Sequence, residues 1–167
     1  AGVTLRDLEI QKTDLVTNHA LIYVAANNLS ILNNLIYGPD PGTPWSVNGI
    51  VSRAMIGTGG LSGLLIDGNT IHTLRQPGYF SGPTTGTISN NAVSGTRGWV
   101  NEGANLTFTN NSWPLPPNQG AEIALLPSLG ANGPIWYPDP MALSLANNNA
   151  YVDAQFTPTD KGPISYC

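Results

Sequence analysis

The chain has 167 residues, with only 10% charged residues, a net charge of -4 and one cysteine. The length suits one domain with a real core, and the acidic balance with scattered Arg6, Arg53, Arg75 and Arg97 argues against nucleic acid, whose phosphates need clustered cations. No apolar run approaches the roughly 18 residues that span a bilayer, and Cys167, the last residue, allows neither an internal disulfide nor a Cys-based metal site.

Polarity comes instead from Asn, Ser, Thr and Gly, with Lys confined to Lys12 and Lys161. A neutral, hydrogen-bonding surface of this kind leads to the expectation of an extracellular or cell-surface protein. The chain starts Ala-Gly-Val without an initiator Met, as a mature or excised segment or a trimmed one would. Asn28, Asn105 and Asn110 match the glycosylation pattern, which chance produces readily in a chain this rich in Asn and Ser/Thr.

Short alternating runs follow one another: Val3 to Ile10, Ala20 to Val24, Leu64 to Ile66, Gly86 to Ser89, Leu106 to Thr109 and Ala142 to Leu145. Alternation of apolar and polar residues predicts strands with one buried face. The stretch from Thr17 to Leu35 is the one place with a helical look, and its Asn27-Asn28 pair predicts strand, turn, strand.

Along these runs a phrase recurs. It reads Ile31-Leu-Asn-Asn34-Leu-Ile36, Ile66-Asp-Gly-Asn69-Thr-Ile71, Ile88-Ser-Asn-Asn91-Ala-Val93, Phe108-Thr-Asn-Asn111-Ser-Trp113 and Leu145-Ala-Asn-Asn148-Asn-Ala150. The steps between the marked Asn residues are 35, 22, 20 and 37 residues. A period near 20, with insertions, predicts a solenoid.

Six coils can be written: about 2–18, 20–37, 48–71, 78–93, 98–113 and 121–152. Gly49-Ile50, Gly78-Tyr79 and Gly98-Trp99 precede the Asn phrase at similar offsets and are expected to start another strand in each coil. Asn tolerates the left-handed backbone that a corner needs. Asn34, Asn69, Asn91, Asn111 and Asn148 are expected to stack as a ladder, each amide donating to one neighbour and accepting from the other. Ile36, Ile71, Val93, Trp113 and Ala150 form one predicted apolar column, and Ile31, Ile66, Ile88, Phe108 and Leu145 another. The first coil, through Leu5-Arg-Asp-Leu-Glu-Ile10, is expected to be one residue shorter, as suits a terminal coil.

On the repeated Ile-x-x-Asn-x-Ile phrase and the Gly-Ile-like strand starts, residues 3–152 resemble a right-handed parallel β-helix, the pectate-lyase-like solenoid superfamily of the secreted or bacterial-surface type. That broad class includes polysaccharide lyases, pectinesterase-like enzymes, phage tailspikes and bacterial surface proteins. The resemblance implies an all-β solenoid of about six coils with two loop insertions. Residues 1–155 would be the β-helix domain and 156–167 a C-terminal cap or linker tail.

The insertions run from Gly38 to Asn48 and from Pro114 to Pro140, each with Pro-Asp-Pro and a Trp. Both leave after the Asn corner, which predicts loops on one face, often the binding face. Asp40 and Asp139 in these loops are the candidate acid–base pair; the plainer reading is turn chemistry. Neither His19 nor His72 has a triad arrangement, and Gly57-Thr-Gly-Gly60 lacks the Lys of a phosphate loop. Trp99 and Trp113 fall in core columns. Trp45, Tyr79, Trp136 and Tyr137, with Asp40 and Asp139, are the candidate ligand-binding residues: exposed rings stack on sugar faces, while the plainer reading folds them back as lids. No catalytic residue, metal or cofactor is expected.

Three functions are open. The first is a non-catalytic extracellular β-helix domain for surface attachment, assembly or polysaccharide recognition, with polysaccharide or a copy of itself as partner. The second is a polysaccharide lyase or glycoside hydrolase, or a fragment of one. The third is a phage or viral fibre segment.

Overall fold

The computed structural model describes residues 2–14, 19–39, 52–102 and 104–112, together with strands 119–126, 151–152 and 164–166. The described residues contain strands and no helix, and therefore no helix long and apolar enough to cross a membrane. Every strand pairing is parallel, and the strands stack into three sheets.

Sheet 1 is built from β1 (Val3–Arg6), β4 (Leu29–Leu32), β7 (Leu64–Asp67), β10 (Thr85–Ser89), β13 (Asn105–Thr109) and β15 (Tyr151–Val152), in that order. Sheet 2 holds β2 (Glu9–Gln11), β5 (Leu35–Tyr37), β8 (Thr70–His72) and β11 (Ala92–Ser94). Sheet 3 runs β3 (His19–Val24), β6 (Ser52–Gly57), β9 (Gln76–Ser81), β12 (Arg97–Glu102), β14 (Gln119–Leu126) and β16 (Ile164–Tyr166). From β1 to β13 successive strands visit the three sheets in turn, so each winding adds one rung to each wall; after that β14, β15 and β16 extend sheets 3, 1 and 3. The wound, all-parallel architecture is the solenoid expected from the repeat.

The apolar columns line the interior. Ile31, Ile66, Ile88 and Phe108 are fully buried and in register across sheet 1. Ile36, Ile71 and Val93 do the same in sheet 2. Period-2 alternation sends these residues inward and their neighbours outward. Trp113, Leu145 and Ala150 lie outside the described residues.

Between sheets 1 and 2 the backbone turns a sharp corner. Asp7, Asn33, Gly68, Asn90 and Asn110 occupy it in successive coils, all with φ between 51° and 67°. Asn, Asp and Gly are the residues that enter this left-handed region most cheaply. The corner chemistry therefore sits one residue before the ladder Asn. A second turn, ending at Asn28 with φ 56°, separates β3 from β4 and gives the expected strand, turn, strand.

Two expectations are corrected. The first coil is not shorter: Leu5 pairs with Ile31 and Ile10 with Ile36, so both segments have equal length. Its departure is a substitution, Leu8 standing where the other coils have Asn. The Gly-aromatic dipeptides do fall in neighbouring strands of sheet 3, β9 and β12, but one residue out of register with each other. Tyr79 pairs with Val100, which sets Trp99 across from Gly78. Volume explains the shift. A Cβ on Gly78 would meet the Trp99 ring at 2.8 Å and the Phe80 ring at 2.7 Å, so the buried indole needs a glycine beside it. Finally, Phe108 pairs with Val152, later in the chain than the Leu145 expected there. Tyr-Val suits a strand better than the Asn-rich run before it. Within the expected tail, Ile164–Tyr166 pairs in parallel with β14 and lengthens sheet 3.

Candidate functional site

The Asn ladder is the best-defined polar feature. Asn34 Nδ2 donates to Asn69 Oδ1 at 3.0 Å, Asn69 Nδ2 to Asn91 Oδ1 at 2.9 Å, and Asn91 Nδ2 to Asn111 Oδ1 at 2.9 Å. Each acceptor oxygen also takes the backbone N–H of the preceding ladder Asn. The Nδ2 of each residue donates as well to a carbonyl one coil earlier: Leu5, Ile31, Ile66 and Ile88 for Asn34, Asn69, Asn91 and Asn111. All four side chains are buried. A buried amide left unbonded costs about 1–3 kcal/mol, and here Asn34, Asn69 and Asn91 bond to the coils on both sides and Asn111 to the preceding one. These residues hold coils together and offer no group to a ligand. Asn148 lies outside the described residues.

At the outer edge of the same corner, Asp67 Oδ1 accepts from Ser89 Oγ at 2.6 Å and from Asn90 Nδ2 at 2.7 Å. Asn110 Nδ2 continues to Asn90 Oδ1 at 2.6 Å. This carboxylate is occupied with surface ladder bonds. No cluster of three or more metal-ligating side chains occurs among the described residues.

The outer face of sheet 3 is different. Burial along β6 and β9 runs with two adjacent buried residues, Ala54-Met55 and Pro77-Gly78, in place of strict alternation. The interruption leaves Arg53 and Ile56, then Gln76 and Tyr79, half-buried on the outside. Tyr23, Ile56, Tyr79 and Val100 form a column in register over four strands. Tyr23 is 63% exposed. The Arg53 guanidinium lies 5.4 Å from the centroid of the Tyr79 ring, and its Nε donates to Gln76 Oε1 at 2.7 Å. Burial pushes the Arg53 pKa down from its ordinary value, and the Tyr23 phenol acts against that shift. Arg6–Asp7 and Lys12–Asp14 are ion pairs, and neither involves Arg53.

Beneath this face the wall is aromatic. Phe80 and Trp99 stack at 6.3 Å with an interplanar angle of 23°, and Trp99 meets Phe108 edge-on at 6.3 Å. All three rings are fully buried. Trp99 is thus a core residue, as its column position implies, and the rings make a stiff base under Tyr79.

Sheet 2 carries a smaller outward group. Tyr37 stacks on His72 with centroids 5.0 Å apart, and its hydroxyl donates to Glu9 Oε1 at 2.6 Å. The Glu9 hydrogen bond raises the Tyr37 pKa above 10.0, helped by desolvation and by the Glu9 charge. His72 points outward, as its place after Ile71 predicts, and its Nδ1 lies 2.7 Å from Thr73 Oγ1.

Of the candidate ligand-binding residues, Tyr79 is described and lies on the outer face of sheet 3. Asp40, Trp45, Trp136, Tyr137 and Asp139 lie outside the described residues. Tyr23, Arg53 and Gln76 were missed. Laying Leu-Ile-Tyr23-Val24, Met-Ile56-Gly57, Gly-Tyr79-Phe80 and Trp-Val100-Asn101 beside one another would have revealed the column; the Asn phrase instead drew attention to the other two walls. Comparison with protein-family models, with curated proteins and with solved structures finds no match for this chain.

Proposed function

We propose that this chain is a non-catalytic β-helix domain, of the right-handed, secreted or surface type, that recognises polysaccharide outside the cell. The supporting observation is the outer face of sheet 3. There an exposed Tyr23 and a half-buried Tyr79 stand two strands apart with Ile56 between them, on a wall packed from within by Phe80 and Trp99, and polar Arg53 and Gln76 lie beside Tyr79. Strands two apart lie roughly 9–10 Å from one another, about the length of a disaccharide. Phenol rings take the apolar faces of sugars, while the guanidinium and amide take hydroxyls.

Retention on a panel of immobilised glycans tests the reading, with product release followed in parallel. Binding without turnover is expected, and Tyr23→Ala or Tyr79→Ala should weaken it at least about tenfold while leaving thermal unfolding close to wild type. The loops bearing Trp45 and Trp136 are tested in the same way with Ala variants. Glycan cleavage that disappears in Asp40→Asn or Asp139→Asn would overturn the proposal in favour of a polysaccharide-degrading enzyme. A trimer in light scattering would favour a fibre segment.

A further inference from the structure

The Arg53 side chain is fixed twice and neutralised by no carboxylate among the described residues. Its Nε–H is committed to Gln76 Oε1 at 2.7 Å, and its Cζ lies 5.4 Å from the centroid of the Tyr79 ring. That leaves the two Nη groups, whose parallel N–H bonds form the fork that matches a carboxylate or a sulfate. A neutral polymer needs only hydroxyl partners, which Gln76 and the tyrosine hydroxyls supply without a cation. A partly buried guanidinium costs desolvation unless an anion compensates it. The chain as a whole carries -4, so the cation here is local and set against the general balance.

Resting on the polysaccharide reading above, we propose that the polymer taken by this face is anionic: a carboxylate or sulfate group seats on the Nη edge of Arg53 while adjoining sugar rings lie against Tyr23 and Tyr79. Charge-assisted hydrogen bonds are roughly twice as strong as neutral ones. The anionic group should therefore tighten binding at least about tenfold over a neutral polymer of the same backbone. The preference should shrink as salt rises, since the pair sits near the surface.

The test compares hydroxyethylcellulose, carboxymethylcellulose and cellulose sulfate, three derivatives of one backbone, together with alginate. Affinity electrophoresis or titration calorimetry with the full chain gives the dissociation constants. Expected is a preference of about tenfold or more for at least one charged derivative, abolished in Arg53→Gln, whose affinities for the charged derivatives fall to its own affinity for hydroxyethylcellulose. The carboxymethyl and sulfate arms decide which anion fits the fork. Arg53→Lys keeps the charge and loses the fork, and should retain only part of the preference. Equal binding of neutral and charged derivatives overturns this inference and leaves the polysaccharide reading standing. A preference that survives undiminished in both Arg53 variants overturns it as well. Failure of every polymer to bind removes both.

Discussion

Replacing Asn91 with Ala takes out an interior rung of the amide ladder. Four hydrogen bonds end on this side chain. Asn69 donates to its Oδ1 from N at 3.0 Å and from Nδ2 at 2.9 Å, and its Nδ2 donates to the Ile66 carbonyl at 3.1 Å and to Asn111 Oδ1 at 2.9 Å. Asn69 Nδ2 can turn to the Asp67 carbonyl at 3.2 Å, and Asn111 Oδ1 keeps the Asn91 backbone N–H at 3.1 Å. Two groups are then stripped, the Asn69 backbone N–H and the Ile66 carbonyl. At about 1–3 kcal/mol for each, the loss is on the order of 3 kcal/mol. Asn34→Ala is the control. It strips Leu8 N–H and the Leu5 carbonyl, but Leu8 is 45% exposed and Leu5 half-buried. Water replaces those partners, and the cost should be about 1 kcal/mol. Urea denaturation with the slope held in common measures both. Equal losses for the two variants, or less than about 1 kcal/mol for Asn91→Ala, would refute the idea that buried amide pairing holds adjacent coils together.

Two further outcomes are expected. Gly78→Ala should cost about 1–3 kcal/mol of overpacking, because its Cβ would stand 2.8 Å from the Trp99 ring and 2.7 Å from Phe80; a Gly78→Ala melting temperature equal to wild type would contradict this. Tyr37 should ionise above 10.0 by phenolate absorbance, and Glu9→Gln should bring it back toward that value. The native state holds this phenolic proton more tightly than the unfolded chain does. The associated stability is therefore fully present below pH 10.0 and declines as pH rises through the higher native pKa.

The walls of sheets 1 and 2 were legible because Asn marks them at a fixed distance from an inward Ile. Six positions of phrase give two apolar columns and the amide between them. Sheet 3 was harder to read. Its register depends on a volume exchange, Gly78 against Trp99 and Gly57 against Phe80, and a Gly-aromatic pair looks the same in sequence whichever residue it faces. Coil 1 misled because Leu8 replaces the marker, although its backbone keeps the register. Arg53 escaped notice as a lone cation because its partners, Gln76 and Tyr79, lie a full coil further along the chain. Tyr79 was found by its aromatic character alone; its neighbours needed the three-dimensional stack.

The links of the amide file all point one way, Nδ2 of the earlier residue giving to Oδ1 of the later. Their dipoles add along the spiral axis, and each bond polarises the next. The oxygen at the first rung takes the Leu8 backbone N–H alone, where each later oxygen takes both a backbone and a side-chain N–H, so the file keeps a spare acceptor at its origin. A second such stack would therefore match this one head to tail, the donor end of one file meeting the acceptor end of the other.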